Sequence, residues 1–156
     1  MGANYWHYDM LLDQKDLSII NCLMNDGRQS YVEISSKLGL PRATVQERVK
    51  KLLTSGVIKK FSVKLDYSKL GRGVTSYIFV SFSNEKQISQ RKLAERIASI
   101  PNIFEVSVIS GEWDILIKTR TSSVEEVGTM VIDKLRSMPG IQKTETCVSF
   151  LTIKEE

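Results

Sequence analysis

The sequence predicts an α+β protein in two parts: a helical N-terminal part, then a part ordered strand–helix–strand–strand–helix–strand. Three observations predict it. Apolar residues recur at helical spacing from Leu17 to Leu53. Asp66 to Gly73 (DYSKLGRG) is polar and carries two glycines, and β-branched and aromatic residues take over at Val74. Pro101-Asn102 and Pro139-Gly140 each end an amphipathic stretch and precede a new apolar run. The expected boundaries are a tail over 1–9, a helical domain over 10–63, a hinge over 64–73 and a mixed domain over 74–156.

The tail (MGANYWHYD) is aromatic without a period, so it reads as irregular or as an arm that packs on a partner. His7, the single histidine, has no nucleophile or ligand set beside it and reads as a surface residue. Asp13 begins the first helix, with Asp16 three residues on, where negative charge suits a helix N-terminus. Leu17, Ile20 and Leu23, with Ile19 and Met24, form its apolar stripe up to Asp26-Gly27. Ser30 and Glu33 form a capping box for the second helix, whose apolar positions are Val32, Ile34 and Leu38. Gly39 permits a positive φ at the corner. Leu40 buries into the turn, and Pro41 is tolerated where a helix opens, because its missing N–H would be an orphan there. Val45, Val49, Leu52 and Leu53 give the third helix an inward face.

Ser35, Gly39 and Val45 place a small residue, a glycine and a branched aliphatic where two helices meet at a steep angle. Such an angle lets the second helix of the pair enter a major groove. Its outward face carries Arg42, Ala43, Thr44, Gln46, Glu47, Lys50 and Lys51. Arg and Gln can read base edges; Lys and Thr can hold phosphates. Arg48 either braces the turn or reaches the backbone. A plain αα-hairpin with a solvated charged face shares this pattern. The next segment separates the two: Gly56 closes the helix, and Val57 to Val63 alternates like a strand bearing Lys59 and Lys60. A basic ribbon after such a helix is the layout of a winged helix-turn-helix. Arg28, in the preceding turn, reaches either a phosphate or an acidic side chain.

Charge agrees with this placement. Residues 1–72 hold 12 Lys/Arg against 7 Asp/Glu, whereas residues 73–156 hold 10 against 11. The basic excess thus lies in the helical half, where double-stranded DNA would be met. No apolar run is long enough to span a membrane, no secretory signal is evident, and Cys22 and Cys147 fall in separate periodic segments. Two buried thiols in a cytoplasmic chain is the expectation, with no metal-ligand spacing and no cofactor.

In the second half, Val74 to Phe82 is a strand and Gln87 to Ser99 a helix with Leu93, Ala94, Ile97 and Ala98 inward. Ile103 to Ser110 and Asp114 to Arg120 are strands joined by a Gly111-Glu112-Trp113 hairpin. Val124 to Met138 is the second helix and Ile141 to Ile153 a long closing strand. This order gives a ferredoxin-like four-stranded antiparallel sheet with both helices on one face. The open face needs a cover, and Phe79, Ile117, Val148 and Phe150 are candidates to bury against a second copy in an isologous dimer.

These residues together resemble the Lrp/AsnC family, the feast/famine regulators of bacteria and archaea. The carrying motifs are Leu12-Asp13…Asp16, Asp26-Gly27-Arg28, Val45…Glu47-Arg48-Val49-Lys50-Lys51-Leu52, Gly56-Val57-Ile58 and Gly111-Glu112-Trp113-Asp114. The resemblance runs from about Leu12 to Ile153. Departures are the aromatic N-terminus, Ser35 where alanine is usual and Pro41 where serine is commoner. It implies a transcription regulator whose dimers associate further, often into octamers. It also implies an ACT-like (RAM) second domain that senses a small molecule, usually an amino acid. The matching effector positions are Gly111, Glu112, Trp113, Asp114, Thr144 and Thr146. Asp114 can accept from an ammonium group, the hairpin amides near Gly111 can hold a carboxylate, and Thr144 and Thr146 offer hydroxyls from one strand face. Trp113 would narrow the pocket toward a slim ligand. The alternative for Asp114 is that it simply orders the hairpin.

Two other functions fit the same fold. Sheet domains of this kind also serve as sensors on metabolic enzymes, but no nucleophile–base pair, phosphate loop or metal set is present in the sequence, so an enzyme is not expected. An architectural DNA-binding protein that ignores metabolites is the remaining alternative to an effector-responsive regulator.

Overall fold

A computed structural model describes residues 12–83 and 88–155, which fall into two units that divide after Lys64. The expected tail over 1–9, with His7, lies outside the described residues, as does Gln87.

The first unit has three helices: α1 (Gln14–Asn25), α2 (Tyr31–Leu38) and α3 (Arg42–Thr54). Asp13 caps α1 by accepting from Asp16 N–H at 2.8 Å, and Asp16 returns the bond at 3.1 Å. Ser30 and Glu33 do the same for α2, as the spacing predicts. The Ser30 N–H also holds the Glu33 carboxyl below its ordinary range. Gly39 closes α2 at φ +64°, and Ser35 Oγ donates to Leu40 O, fastening the corner. Ile19, Cys22, Ile34, Val45, Val49 and Leu52 form the core. Val32 and Leu53, expected inward, remain 52% and 37% exposed: α2 buries only Ile34, and α3 only Val45, Val49 and Leu52.

The strand expected over Val57–Val63 is not formed, so among the described residues the helix-turn-helix has no wing. Only Ile58 turns inward; its N–H donates to Leu52 O at 3.0 Å, while Val57, Phe61 and Val63 stay exposed. The described unit offers no second strand, and a lone extended segment gains no ladder of hydrogen bonds.

The second unit runs β1 (Val74–Phe82), α4 (Gln90–Ala98), β2 (Ile103–Val108), β3 (Ile115–Thr121), α5 (Val124–Thr129) and β4 (Ile141–Val148). The sheet order is β2-β3-β1-β4, antiparallel throughout. The α-helix expected over Val124–Met138 continues beyond Thr129 as a π-helical turn, Met130–Leu135. The closing strand stops at Val148 rather than Ile153. Both helices cover one sheet face, where Ile78, Val80, Ile115 and Ile117 pack against Leu93, Ile97, Val127, Met130, Val131 and Leu135.

Strand register corrects the expected open face. Ile117 is fully buried in the core, and Val148 pairs with Ser76, so both belong to the helix-covered side. Phe150 lies beyond β4 and is exposed. Phe79 does sit on the open face, one residue out of step with Ile78 and Val80. Cys147 is exposed rather than buried, because it pairs with Tyr77 on that face, while Cys22 is buried as expected. Arg120 also points to this side, its guanidinium 3.9 Å from the Tyr67 ring centre and 5.2 Å from that of Phe104. Glu155 forms ion pairs with Arg120 and Lys118.

Candidate functional site

The 3.6-residue period of α3 sorts its side chains into two jobs. Val45, Val49 and Leu52 are buried, so Arg42, Ala43, Gln46, Glu47, Lys50 and Lys51 are exposed, with Thr44 half-buried beside them. Neither Arg42, Lys50 nor Lys51 enters an ion pair among the described residues. Lys59 and Lys60 are exposed on the irregular segment after the helix. Arg28 is exposed in the turn before α2, where only its backbone N–H is engaged, by Asp26.

Arg48 takes the bracing role. Its Nη1 lies 2.7 Å from Asp13 and 2.8 Å from Asp16, joining α3 to the capping box of α1. The Asp16 N–H, and then this guanidinium, hold the Asp13 carboxyl below its ordinary range, and the two carboxylates raise Arg48 in turn. The chain thereby removes from its outer face the one α3 arginine beside acidic groups. Arg48→Met is expected to lower the melting temperature by on the order of a few degrees, since it strands Asp16 at 10% side-chain exposure. Thermal denaturation followed by circular dichroism checks it; an unchanged midpoint would mean the bridge contributes nothing.

The second candidate site centres on the β2–β3 connection. Asp114 ties it to β1: Oδ2 accepts from Phe82 N–H at 2.8 Å, and Asp114 N–H donates to Val80 O at 3.0 Å. Its carbonyl accepts from Ile109 N–H at 2.9 Å and from Gln90 Nε2 at 3.1 Å. Asp114 therefore orders the hairpin, while Oδ1 accepts no hydrogen bond among the described residues. Gly111 sits at φ +128°, a conformation that side chains resist, and Glu112 is exposed. The Trp113 ring centre is 5.9 Å from that of Phe79, and Lys143 Nζ lies 4.8 Å from it.

Thr144 and Thr146 do share a strand face, but not the one Trp113 occupies. They pair with Val80 and Ile78, on the helix-covered side, whereas Trp113 packs with Phe79 on the open side. Thr144 Oγ1 accepts from Arg136 Nε at 3.2 Å, and Thr146 is exposed because β4 is a sheet edge. Along this edge runs a cleft of about 300 Å³ lined by Arg136, Ile141, Gln142, Lys143 and Thr144. That Arg136, Gln142 and Lys143 line a common cleft was not legible in the sequence. The signal available was the run Gln142-Lys143-Thr144 just after the Pro139-Gly140 stop. Among the described residues no cluster of metal ligands occurs and no helix is long and apolar enough to cross a membrane.

A helix-turn-helix with an exposed basic third helix, followed by a four-stranded α+β unit, defines a DNA-binding regulator of two-domain type. Residues 12–53 match the family model for the AsnC-type helix-turn-helix domain, and residues 75–156 match that for the Lrp/AsnC ligand binding domain. The chain belongs to the Lrp/AsnC family of transcriptional regulators. It is 44% identical over 146 residues to an uncharacterised HTH-type transcriptional regulator of Pyrococcus horikoshii, covering 94% of this chain and 97% of the relative. The solved structure of Bacillus subtilis LrpC is similar, with a TM-score of 0.81 at 31% identity over 94% of this chain and all of that one. So is the fold of a Neisseria meningitidis transcriptional regulator crystallised with L-Met: TM-score 0.86, 24% identity, covering 92% and 93%.

Proposed function

We propose that the protein binds operator DNA sequence-specifically through α3, and that a small amino-acid-type effector alters its assembly or its hold on the operator. The observation that carries the DNA half is the division of labour on α3: the arginine beside acidic groups is engaged inside the unit, and the outer cations are left unpaired. Arg42 and Gln46 take base edges; Thr44, Lys50 and Lys51 take phosphates, with Arg28, Lys59 and Lys60 at the margins. Two copies meet through their open sheet faces, bringing twin recognition helices to one side of a duplex.

The effector half is supported by the family's ligand-binding domain and by the L-Met complex of the Neisseria protein. Asp114 Oδ1 is an available acceptor for an ammonium group, on the same β2–β3 connection as the amides of Gly111 and Glu112. A thermal-shift screen of the proteinogenic amino acids tests the reading. An effector at a hundredfold excess over its Kd stabilises the folded state by about 2.7 kcal/mol. Asp114→Asn retains one oxygen for Phe82 N–H but loses the charge, so the unliganded midpoint is expected to hold and the ligand shift to vanish. If no amino acid moves the midpoint and DNA footprints show uniform coverage, the protein is architectural instead.

A further inference from the structure

We infer that the aromatic N-terminal segment folds back along α1 of its own chain, and that the Trp6 indole fills a groove formed by α1, α2 and the segment after α3.

Two surfaces left open in the first unit carry the inference. The first is a groove of about 380 Å³ beside the last turn of α1, walled by Leu23, Tyr31, Val32 and Phe61. Val32 and Phe61 are 52% and 51% exposed there. Gln29 also lines the groove, and its Oε1 is shut off from solvent without a hydrogen-bond donor among the described residues. A buried acceptor left unpaired is unfavourable, so the groove calls for an occupant that brings an N–H or O–H. Arg42 completes the lining with a cation. An indole meets all three demands: a large apolar ring, a π face for a guanidinium, and one N–H donor with no acceptor of its own to satisfy.

The second surface is a flank of α1. Leu17, Ile20 and Met24 recur at helical spacing beside the buried Ile19 and Cys22, and Leu17 and Met24 remain 41% and 77% exposed. The stripe runs from the first turn of the helix to the neighbourhood of Leu23. An apolar track thus leads from the start of α1 to the groove.

Composition and reach choose the occupant. Tyr5, Trp6, Tyr8, Met10 and Leu11 come directly before Leu12. From Leu12 to Leu23 is roughly 16 Å along the helix axis. Six extended residues span roughly 20 Å, which brings Trp6 to the groove, whereas the four from Tyr8 span roughly 13 Å and fall short. Tyr8 and Met10 share the Trp6 face of an extended chain, so they cover the stripe on the way.

Trp113→Phe leaves Trp6 as the sole tryptophan, and its fluorescence then reports the arm alone. This full-length variant is expected to emit at shorter wavelength, and to be quenched less by acrylamide, than the same protein in urea. Adding Val32→Glu, at a position already half exposed, should restore the emission and quenching of a solvated indole while far-UV circular dichroism stays unchanged. In the wild type the Trp6 ring should show nuclear Overhauser contacts to the Val32 methyl groups, and Gln29→Met should move the Trp6 indole N–H resonance. A mixture of isotope-labelled and unlabelled protein identifies whose arm is seated: contacts between copies would overturn the assignment to the same chain. A solvated Trp6, or a buried Trp6 that Val32→Glu does not release, would overturn the inference as a whole.

Discussion

Gly140→Ala is expected to destabilise the second unit by about 2–4 kcal/mol. Gly140 sits at φ +96°, and a Cβ there would lie 2.8 Å from Ile88 Cγ2, 3.1 Å from Phe82 Cε2 and 3.5 Å from Leu93 Cδ2. Ile88 and Leu93 belong to the core and Phe82 packs on it, so the contact cannot be relieved by swinging one surface side chain away. The backbone is also committed: Gly140 O accepts from Ser83 N–H at 2.9 Å. Strain and overpacking therefore add. Gly71→Ala is the control, with φ +71° but open space at its Cβ, and should cost about 1 kcal/mol. Urea denaturation of both variants separates the terms; equal midpoints would show that the core yields at Gly140.

Lys50→Gln with Lys51→Gln is expected to weaken binding to any duplex and to reduce the slope of log affinity against log salt by about two units. Both lysines are exposed on α3 and unpaired, so no internal contact is lost when they are neutralised. At low salt the loss should be on the order of tenfold or more. Gln46→Ala should behave differently: overall affinity for random duplex changes little, but the sequences selected from a random pool shift, because an amide reads base edges. Fluorescence anisotropy across a salt series, followed by selection, checks both. An unchanged slope in the double variant would place the phosphate contacts elsewhere.

Local chemistry was legible from the sequence, and contacts between distant residues were not. Ser30–Glu33, Gly39 and both bounds of β1 were readable because caps, corners and alternation are properties of a few neighbouring residues. Arg48 was ambiguous because its carboxylates lie 32 and 35 residues away. Thr144 and Thr146 could be placed on a common face but not on a particular one, since only pairing with Val80 and Ile78 decides which. The wing failed for a related reason: alternation makes Val57–Val63 eligible for a sheet, but a strand forms only where another edge receives it. The π-helical turn before Arg136 has the same apolar spacing as an ordinary helix, so the cleft arginine it positions was not readable.

The Asp13–Asp16–Arg48 cluster has a mechanical consequence. The same two carboxylates that start α1 also grip the reading helix through one guanidinium. Fraying at the first turn of α1 and tilting of α3 are thus a single event, and the groove-facing surface behaves as a rigid tool whose rivet sits on the far side of the handle.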